Sequence, residues 1–436
     1  MLHKLYDHFL KHPLVCTDTR EIKPNSIFFA LKGDNFNANQ FAEKAINAGC
    51  SLAVIDEVEY KRDDRYLLVD DVLTALQELA NYHRRHLTIP IISITGTNGK
   101  TTSKELVNAV LSQKYKVQAT KGNLNNHIGV PLTLLSITDE HELAIIEMGA
   151  NHQGEINALC HIAEPNFGMI TNIGKAHLEG FGGEEGVIKA KSEMYKFIQQ
   201  KNGKLFVNAD NDLLMSISEG ITKITYGTNT ENDFSGVFIE SNPFVKLKCK
   251  SKTDTSNLND KPIISTQLIG KYNFENILDA ACIGNYFDVS EDEIKKGLEN
   301  YVPSNNRSQV MQTKNNLLLL DAYNANPSSM NAAIENFAQM NQTNKMVILG
   351  DMLELGEDSE KEHDAIIELL HQQKKNISHI ILVGPYFIEA GKRINAKSFS
   401  TSSEATEYLK QLQLKDFTIL IKGSRGIKLE KVVDVL

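Results

Sequence analysis

A chain of 436 residues is too long for one core and suits two or three domains. Its 41% hydrophobic and 23% charged residues are ordinary for a globular protein, and a net charge of −9 gives no electrostatic case for nucleic acid. The five cysteines show no metal spacing and no disulfide framework, no apolar run reaches membrane-spanning length, and the start lacks a signal-peptide core, so the expectation is a cytoplasmic protein with no membrane insertion. A monomer is expected, although nothing in the sequence bears on oligomeric state.

Residues 1–88 read as a small α/β domain. Strands are expected at 26–31, 52–55 and 66–69, a helix at 38–48 closed by Gly49, and a helix at 71–86 with Leu73, Leu76, Leu79 and Ala80 inward. In Asp18-Thr19-Arg20, Arg20 suits a diphosphate and Thr19 a base or ribose; the plainer alternative, a turn with a solvated Arg, is the one the residues alone favour. His83 and His86 lack a carboxylate or thiol partner and read as a solvated helical face rather than a metal pair.

Residues 89–305 read as a central domain built on residues 91–102, Ile-Ile-Ser-Ile-Thr-Gly-Thr-Asn-Gly-Lys-Thr-Thr. An apolar β-branched run feeds a glycine-containing turn, and a helix follows with Leu106, Val107 and Val110 on one face. Gly96 and Gly99 let the backbone curl so that its N–H groups face an anion, and the helix N-terminus adds partial positive charge. Lys100 brings a full charge to the β/γ-phosphates, and the Thr101 hydroxyl suits Mg²⁺. The loop departs from the usual phosphate-loop pattern, because Ile94 stands where a first glycine is expected.

The strand expected at 143–149 carries Glu147 at its C-terminal end, where open α/β sheets bind ligands, and the carboxylate suits Mg²⁺. A further strand at 167–174 leads to His177, either a second metal ligand or a packed loop histidine. The helix at 184–197 carries Lys189 and Lys191, which read as a solvated face with one phosphate contact at most. Residues 120–129, with Asn123, Asn125 and Asn126, read as a surface or substrate-recognition loop. Residues 228–262 read as hairpins and loops. Asn273 and Asn276, three apart on a helix, could both reach a purine edge.

Residues 306–436, after a hinge near 303–306, alternate strands at 317–321, 346–352, 379–384 and 417–426 with helices. Each unit puts polar residues at the strand's C-terminal end, as in a Rossmann-like domain. A Gly-x-Gly-x-x-Gly fingerprint is absent, which argues against a dinucleotide.

Taken together, residues 95–101, Glu147-Met148-Gly149, Asn172-Ile173-Gly174 with His177, Asn273, Asn276, Arg307 and Asp321 resemble the Mur ligases, ATP-dependent amide-forming enzymes of peptidoglycan precursor synthesis. Residues 125–133, 147–151, 176–182, 323–327, 350–356 and 422–426 look like the branch that adds D-alanyl-D-alanine. The resemblance covers essentially the whole chain. It implies a fold of three α/β domains: a small N-terminal one, a central mononucleotide-binding one and a Rossmann-like C-terminal one. It implies an ATP-dependent ligase that joins D-Ala-D-Ala to UDP-N-acetylmuramoyl-tripeptide (UDP-MurNAc-tripeptide) through an acyl phosphate, with ATP and two Mg²⁺ ions.

By the same resemblance, Thr19 and Arg20 lie close to the UDP. Gly96, Thr97, Asn98, Gly99, Lys100, Thr101 and Thr102 hold the ATP phosphates, while Thr101 and Glu147 bind one metal and His177 the second. Asn276, Arg307, Asp321 and Asn324 hold the nucleotide across a domain interface. Asn123, Asn125, Asn126, Asn326, Lys422, Ser424 and Arg425 contact substrate. Lys191 matches the family's carbamylated lysine, which would turn a cation into an oxygen ligand for the second Mg²⁺. Closure of the third domain over ATP is expected. Residues 35–41 depart from the family's usual Phe-Asp-Gly-His, and Asp321 stands alone where two acidic residues are common. Other readings are a Mur-type or folylpolyglutamate-type ligase adding a single amino acid, and a nucleotide-binding regulator without turnover.

Overall fold

A computed structural model describes residues 1–175, 178–304, 306–394 and 396–436. The chain folds around three main sheets that follow one another in sequence. The first orders Val15–Cys16, Ile27–Phe29, Leu52–Ile55 and Tyr66–Leu68, all parallel. Ile27–Phe29 and Leu52–Ile55 are buried at every position, as befits parallel strands covered on both faces.

The central sheet has nine strands, in the order 264–269, 244–251, 234–241, 223–227, 204–208, 167–170, 91–95, 143–147, 117–119. Phe234–Ser241 and Phe244–Ser251 form an antiparallel hairpin, which matches the hairpin reading of residues 228–262. Alternate residues of the strand Ile91–Thr95 feed opposite cores. Ile91 packs with Ala144, Ile146 and Ile170 on one side, and Ile92 and Ile94 with Ile145, Met169 and Phe206 on the other. Each fully buried Ile contributes roughly 1.5–3 kcal/mol. The helix after Ile91–Thr95 leads toward Val117–Ala119, whereas the chain after Phe167–Ile170 leads to the opposite flank at Lys204–Asn208. Strand order therefore reverses between these two neighbours, and a crevice opens at their C-terminal ends.

The third sheet runs Gln309–Gln312, Leu317–Asp321, Thr418–Lys422, Lys345–Gly350, His379–Val383, Lys397–Phe399. Only the first pair is antiparallel. The three α/β units agree with the expected architecture.

The helix Val72–His86 joins the first unit to the second. Asp71 caps it by accepting the Thr74 N–H at 2.6 Å. Its Leu76 and Leu79 share one core with Val130, Leu134, Ile156 and Leu159 of the central unit. His83 is not the solvated histidine expected from the sequence. It is buried, with its ring nitrogens 3.3 Å from the Tyr6 hydroxyl and 3.0 Å from the Ile137 carbonyl, because a second unit covers this side of the helix. His86 remains exposed, as expected. Among the described residues no helix is long and apolar enough to cross a membrane.

Candidate nucleotide and ligation site

The loop after Ile91–Thr95 sits in the crevice of the central sheet. Gly96 has φ +144° and Gly99 φ +81°, and a Cβ would lie 2.0 Å from Thr171 Oγ1 and 2.5 Å from Asn276 Oδ1 respectively. Both positions therefore require glycine. The neighbouring strand end staples the turn. The Thr97 N–H donates to the Asn172 carbonyl (2.8 Å) and the Asn98 N–H to Asn172 Oδ1 (3.0 Å). Thr171 Oγ1 and Asn172 Nδ2 donate to the Asn98 carbonyl at 2.6 and 3.1 Å. Gly99 caps the helix Lys100–Leu111, so its unpaired N–H groups open toward the crevice.

Lys100 Nζ donates to the Gly96 and Thr97 carbonyls at 2.7 and 2.9 Å. Burial pulls its pKa down to about 8; Glu147 opposes the shift and Arg307 adds to it. Glu147 is 1% exposed at the end of Leu143–Glu147. Its Oε1 accepts from Asn125 Nδ2 (2.7 Å) and the Thr101 hydroxyl (3.2 Å), while Oε2 is buried with no partner. An orphaned carboxylate oxygen beside a threonine hydroxyl and a phosphate loop is a donor set that fits a hard divalent cation.

Lys191 is 3% exposed, which overturns the solvated reading drawn from the residues alone; Lys189 is exposed and keeps it. Lys191 Nζ lies 5.3 Å from the centre of the Phe181 ring. Burial, reinforced by the Lys100 charge, pulls its pKa down to about 7. His177, expected as a second metal ligand, lies outside the described residues. No cluster of three His, Cys, Asp or Glu side chains with metal-ligand geometry occurs among the described residues.

The third unit faces this loop. Asp321, at the end of Leu317–Asp321, holds Lys422 Nζ at 2.5 Å through Oδ2 and accepts the Ser308 N–H at 3.3 Å through Oδ1. The Arg307 guanidinium lies 3.7 Å over the Tyr323 ring, with Arg425 at 5.5 Å. Asn324 caps its neighbour Ala325. Asn326 caps the helix Pro327–Gln339 and reaches across to the phosphate loop, its Nδ2 donating to Asn98 Oδ1 at 2.7 Å.

These walls enclose a cavity of about 950 Å³. The expected residues 96–102, Glu147, Lys191, Asn276, Arg307, Asp321, Asn324, Asn326 and Lys422 line it, as do Asn123, Asn125 and Asn126. Asn126 is also spent on capping, accepting from the Ile128 and Gly129 N–H groups. Other expected residues stand apart from it. Thr19 and Arg20 lie outside the lining, and Arg20 is exposed and paired with Asp18 at 2.5 Å. Ser424 is buried in a structural role, accepting the Leu353 N–H at 3.0 Å and donating to the Ala325 carbonyl at 3.3 Å. Arg425 also lies outside the lining, its guanidinium 5.5 Å from the centre of the Tyr323 ring. Tyr323 and Asn172 were not singled out from the sequence for these roles. Tyr323 carried a signal, an aromatic two residues beyond a strand-end aspartate.

The family model for the Mur ligase middle domain matches residues 94–284, and that for the Mur ligase glutamate ligase domain matches 306–425. The chain is 35% identical to a UDP-N-acetylmuramoyl-tripeptide--D-alanyl-D-alanine ligase from Bacillus subtilis, over 96% of this chain and 92% of that protein. It is also 35% identical to the ligase of that name from Escherichia coli, over 97% and 93%. The crystal structure of MurF from Acinetobacter baumannii superposes with a TM-score of 0.85 at 32% identity, covering 96% and 92%. With both family models and near full-length relatives in agreement, the chain belongs to the Mur ligase family.

Proposed function

We infer that the chain joins D-alanyl-D-alanine to UDP-MurNAc-tripeptide at the expense of ATP, forming a C–N bond and releasing ADP and phosphate. One observation carries the reading beyond likeness to relatives. The phosphate loop, the orphaned Glu147 oxygen and the Asp321–Lys422 pair of the third unit converge on one cavity.

In this reading residues 89–305 hold ATP, residues 1–88 the UDP moiety through Thr19 and Arg20, and residues 306–436 the dipeptide. Lys100 exchanges two loop carbonyls for the β/γ-phosphates, whose charge raises its lowered pKa. Thr101 and Glu147 would hold Mg²⁺, which would spread the negative charge of the phosphates. Arg307 and Tyr323 offer a flat wall for the base, and Asn276, Asp321 and Asn324 offer hydrogen-bonding groups for the rest of the nucleoside. Lys422 is committed to Asp321, so the Arg425 guanidinium is the group for the dipeptide carboxylate.

The tripeptide carboxylate attacks the γ-phosphate, giving an acyl phosphate and ADP. The dipeptide amine then attacks the acyl carbon, loses its proton, and phosphate leaves. Two anions must meet in the first step, which is why Lys100 and the loop N–H groups surround the γ-phosphate. Lys191, whose burial pulls its pKa down to about 7, can in its neutral form add CO₂ to form a carbamate and a proton. Its oxygens would supply the second Mg²⁺ with the anionic ligand that a cationic lysine denies it. The buried, unpaired cysteines suit a reducing cytoplasm, where we take the chain to work as a monomer.

The test is phosphate release from ATP with UDP-MurNAc-tripeptide, with and without D-Ala-D-Ala, following the nucleotide-sugar product by mass. Turnover only with the dipeptide, and a product heavier by one dipeptide less water, is expected. Turnover with a single amino acid instead would move the chain to another branch of the family. No turnover with either would leave a nucleotide-binding regulator.

A further inference from the structure

Behind the phosphate loop, four side chains form one line of hydrogen bonds, and its far end fixes its direction. Asn273 Nδ2 lies 2.7 Å from the Ile269 carbonyl oxygen. A carbonyl only accepts, so this atom is the donor and the Asn273 amide has one orientation. Asn273 Oδ1 therefore accepts, and does so from Asn276 Nδ2 at 2.9 Å. Asn276 then turns its Oδ1 to the Ser103 hydroxyl at 3.2 Å. An amide oxygen carries no hydrogen, so this contact is a hydrogen bond only when Ser103 donates its single hydrogen there. Ser103 Oγ also lies 2.7 Å from Asp279 Oδ2. One hydroxyl hydrogen cannot serve both oxygens, so both contacts are hydrogen bonds only if Asp279 supplies a second hydrogen.

We propose that Asp279 is a protonated carboxyl whose O–H sets the direction of this line, and that it is thereby a positioning residue for ATP, holding Asn276 in its binding orientation. The inference rests on the reading of the cavity as an ATP site. The surroundings agree with a neutral acid. Ser103 is 0% exposed, and Asp279 and Asn273 are each 1% exposed. Burial pushes the Asp279 carboxyl well above the usual range; the Ser103 contact opposes the shift and Glu275 adds to it. No Lys or Arg pairs with it among the described residues.

An ionised Asp279 would claim the Ser103 hydrogen, because a charge-assisted bond is the stronger one. Asn276 Oδ1 would then face a hydroxyl lone pair. Turning the amide to relieve this would set its oxygen against Asn273 Oδ1. The consequence reaches the phosphate loop, since a Cβ at Gly99 would lie only 2.5 Å from Asn276 Oδ1. The line also runs on toward the third unit, for Asn273 Nδ2 is 3.2 Å from Ser308 Oγ and the Ser308 N–H donates to Asp321.

The test compares three variants of the full chain. Asp279→Asn keeps a donor for Ser103 in its NH₂ group; Asp279→Ala removes the donor; Ser103→Ala cuts the line in the middle. KM for ATP should stay within about twofold of wild type in Asp279→Asn and rise about tenfold in the other two. KM for D-Ala-D-Ala should change far less. Infrared difference spectra should show a protonated-carboxyl stretch in wild type that is absent from Asp279→Asn. Should Asp279→Ala not fold, Ser103→Ala carries the same expectation. An Asn variant as impaired as Ser103→Ala, a Ser103→Ala variant with wild-type KM, or a missing carboxyl band overturns the proposal. If wild type shows no ATP-dependent turnover, the ligase reading falls, and the infrared band still decides the proton.

Discussion

At the scale of single residues, Gly99 tests how tightly the phosphate loop is built. An alanine there must hold φ near +81° and put a methyl 2.5 Å from Asn276 Oδ1. The left-handed backbone costs about 1–3 kcal/mol, and the contact moves either the amide or the loop. Gly99→Ala should therefore weaken ADP binding at least tenfold in titration calorimetry and lower the unfolding midpoint; unchanged affinity would contradict this reading of the loop.

Lys191 gives a prediction in pH. Its folded pKa lies near 7, below the unfolded value of a lysine, so between the two the unfolded chain binds more protons. Stability must then rise as pH increases from about 7 toward 10. Lys191→Met should remove this slope and gain on the order of a few kcal/mol at neutral pH, read by urea unfolding across the range. It should also abolish ligase turnover. Lys100, Thr101 and Glu147 were legible in the sequence because a buried strand, a turn and a helix confine such residues to one place. The burial of Lys191 was not legible from periodicity, since Phe181, the ring it meets, comes from a separate four-residue helix. Asp279 was equally silent: nothing local marks a helical aspartate as covered on every side.

Among the elements, the helix Val72–His86 carries the most packing information that its own pattern hides. Of its expected inward residues Leu73, Leu76, Leu79 and Ala80, the last three are buried and Leu73 is half-buried against the same core. His83 and Arg84 extend that same face, but their cover was not readable, because it comes from Ile137 and from Ala163 and Glu164, far along the chain. There Arg84 spends its guanidinium on backbone carbonyls, donating from Nε to Ala163 at 2.9 Å, from Nη1 to Leu87 at 3.1 Å and from Nη2 to Glu164 at 3.0 Å. It is 7% exposed, and burial lowers its pKa without discharging it. Removing it strands buried acceptors, each costing about 1–3 kcal/mol. Arg84→Ala should thus destabilise the chain by roughly 3 kcal/mol or more in chemical denaturation, while leaving KM for ATP close to wild type. A loss below about 0.5 kcal/mol would show that the first two units are held together by their shared apolar core alone.

For the whole molecule, the question is what holds the third unit over the phosphate loop. Among the contacts between the described residues of the two units are Asn326 Nδ2 to Asn98 Oδ1 at 2.7 Å, the Lys175 N–H to Ser328 Oγ at 3.3 Å, and Lys175 Nζ to Glu362 at 3.0 Å. The first ties the cap of Pro327–Gln339 to the loop that would carry the phosphates, so nucleotide binding and closure share an atom. The ion pair is the piece that can be tuned. The Lys175 side chain is 39% exposed but that of Glu362 only 9%, so the pair is screened from one side and is worth about 1 kcal/mol. Lys175→Ala and Glu362→Gln should each lower kcat about fivefold by disfavouring the closed arrangement. The double variant should lose no more than the worse single, because each change removes the same interaction. Additive losses would mean that the two residues act separately and that the pair does not hold closure. Scattering supplies the matching physical readout. Wild type with nucleotide and UDP-substrate should contract relative to the free chain, and the Lys175→Ala variant should contract less at the same ligand occupancy. Superimposable profiles for wild type with and without ligands would remove closure from the mechanism and leave these contacts as a permanent interface.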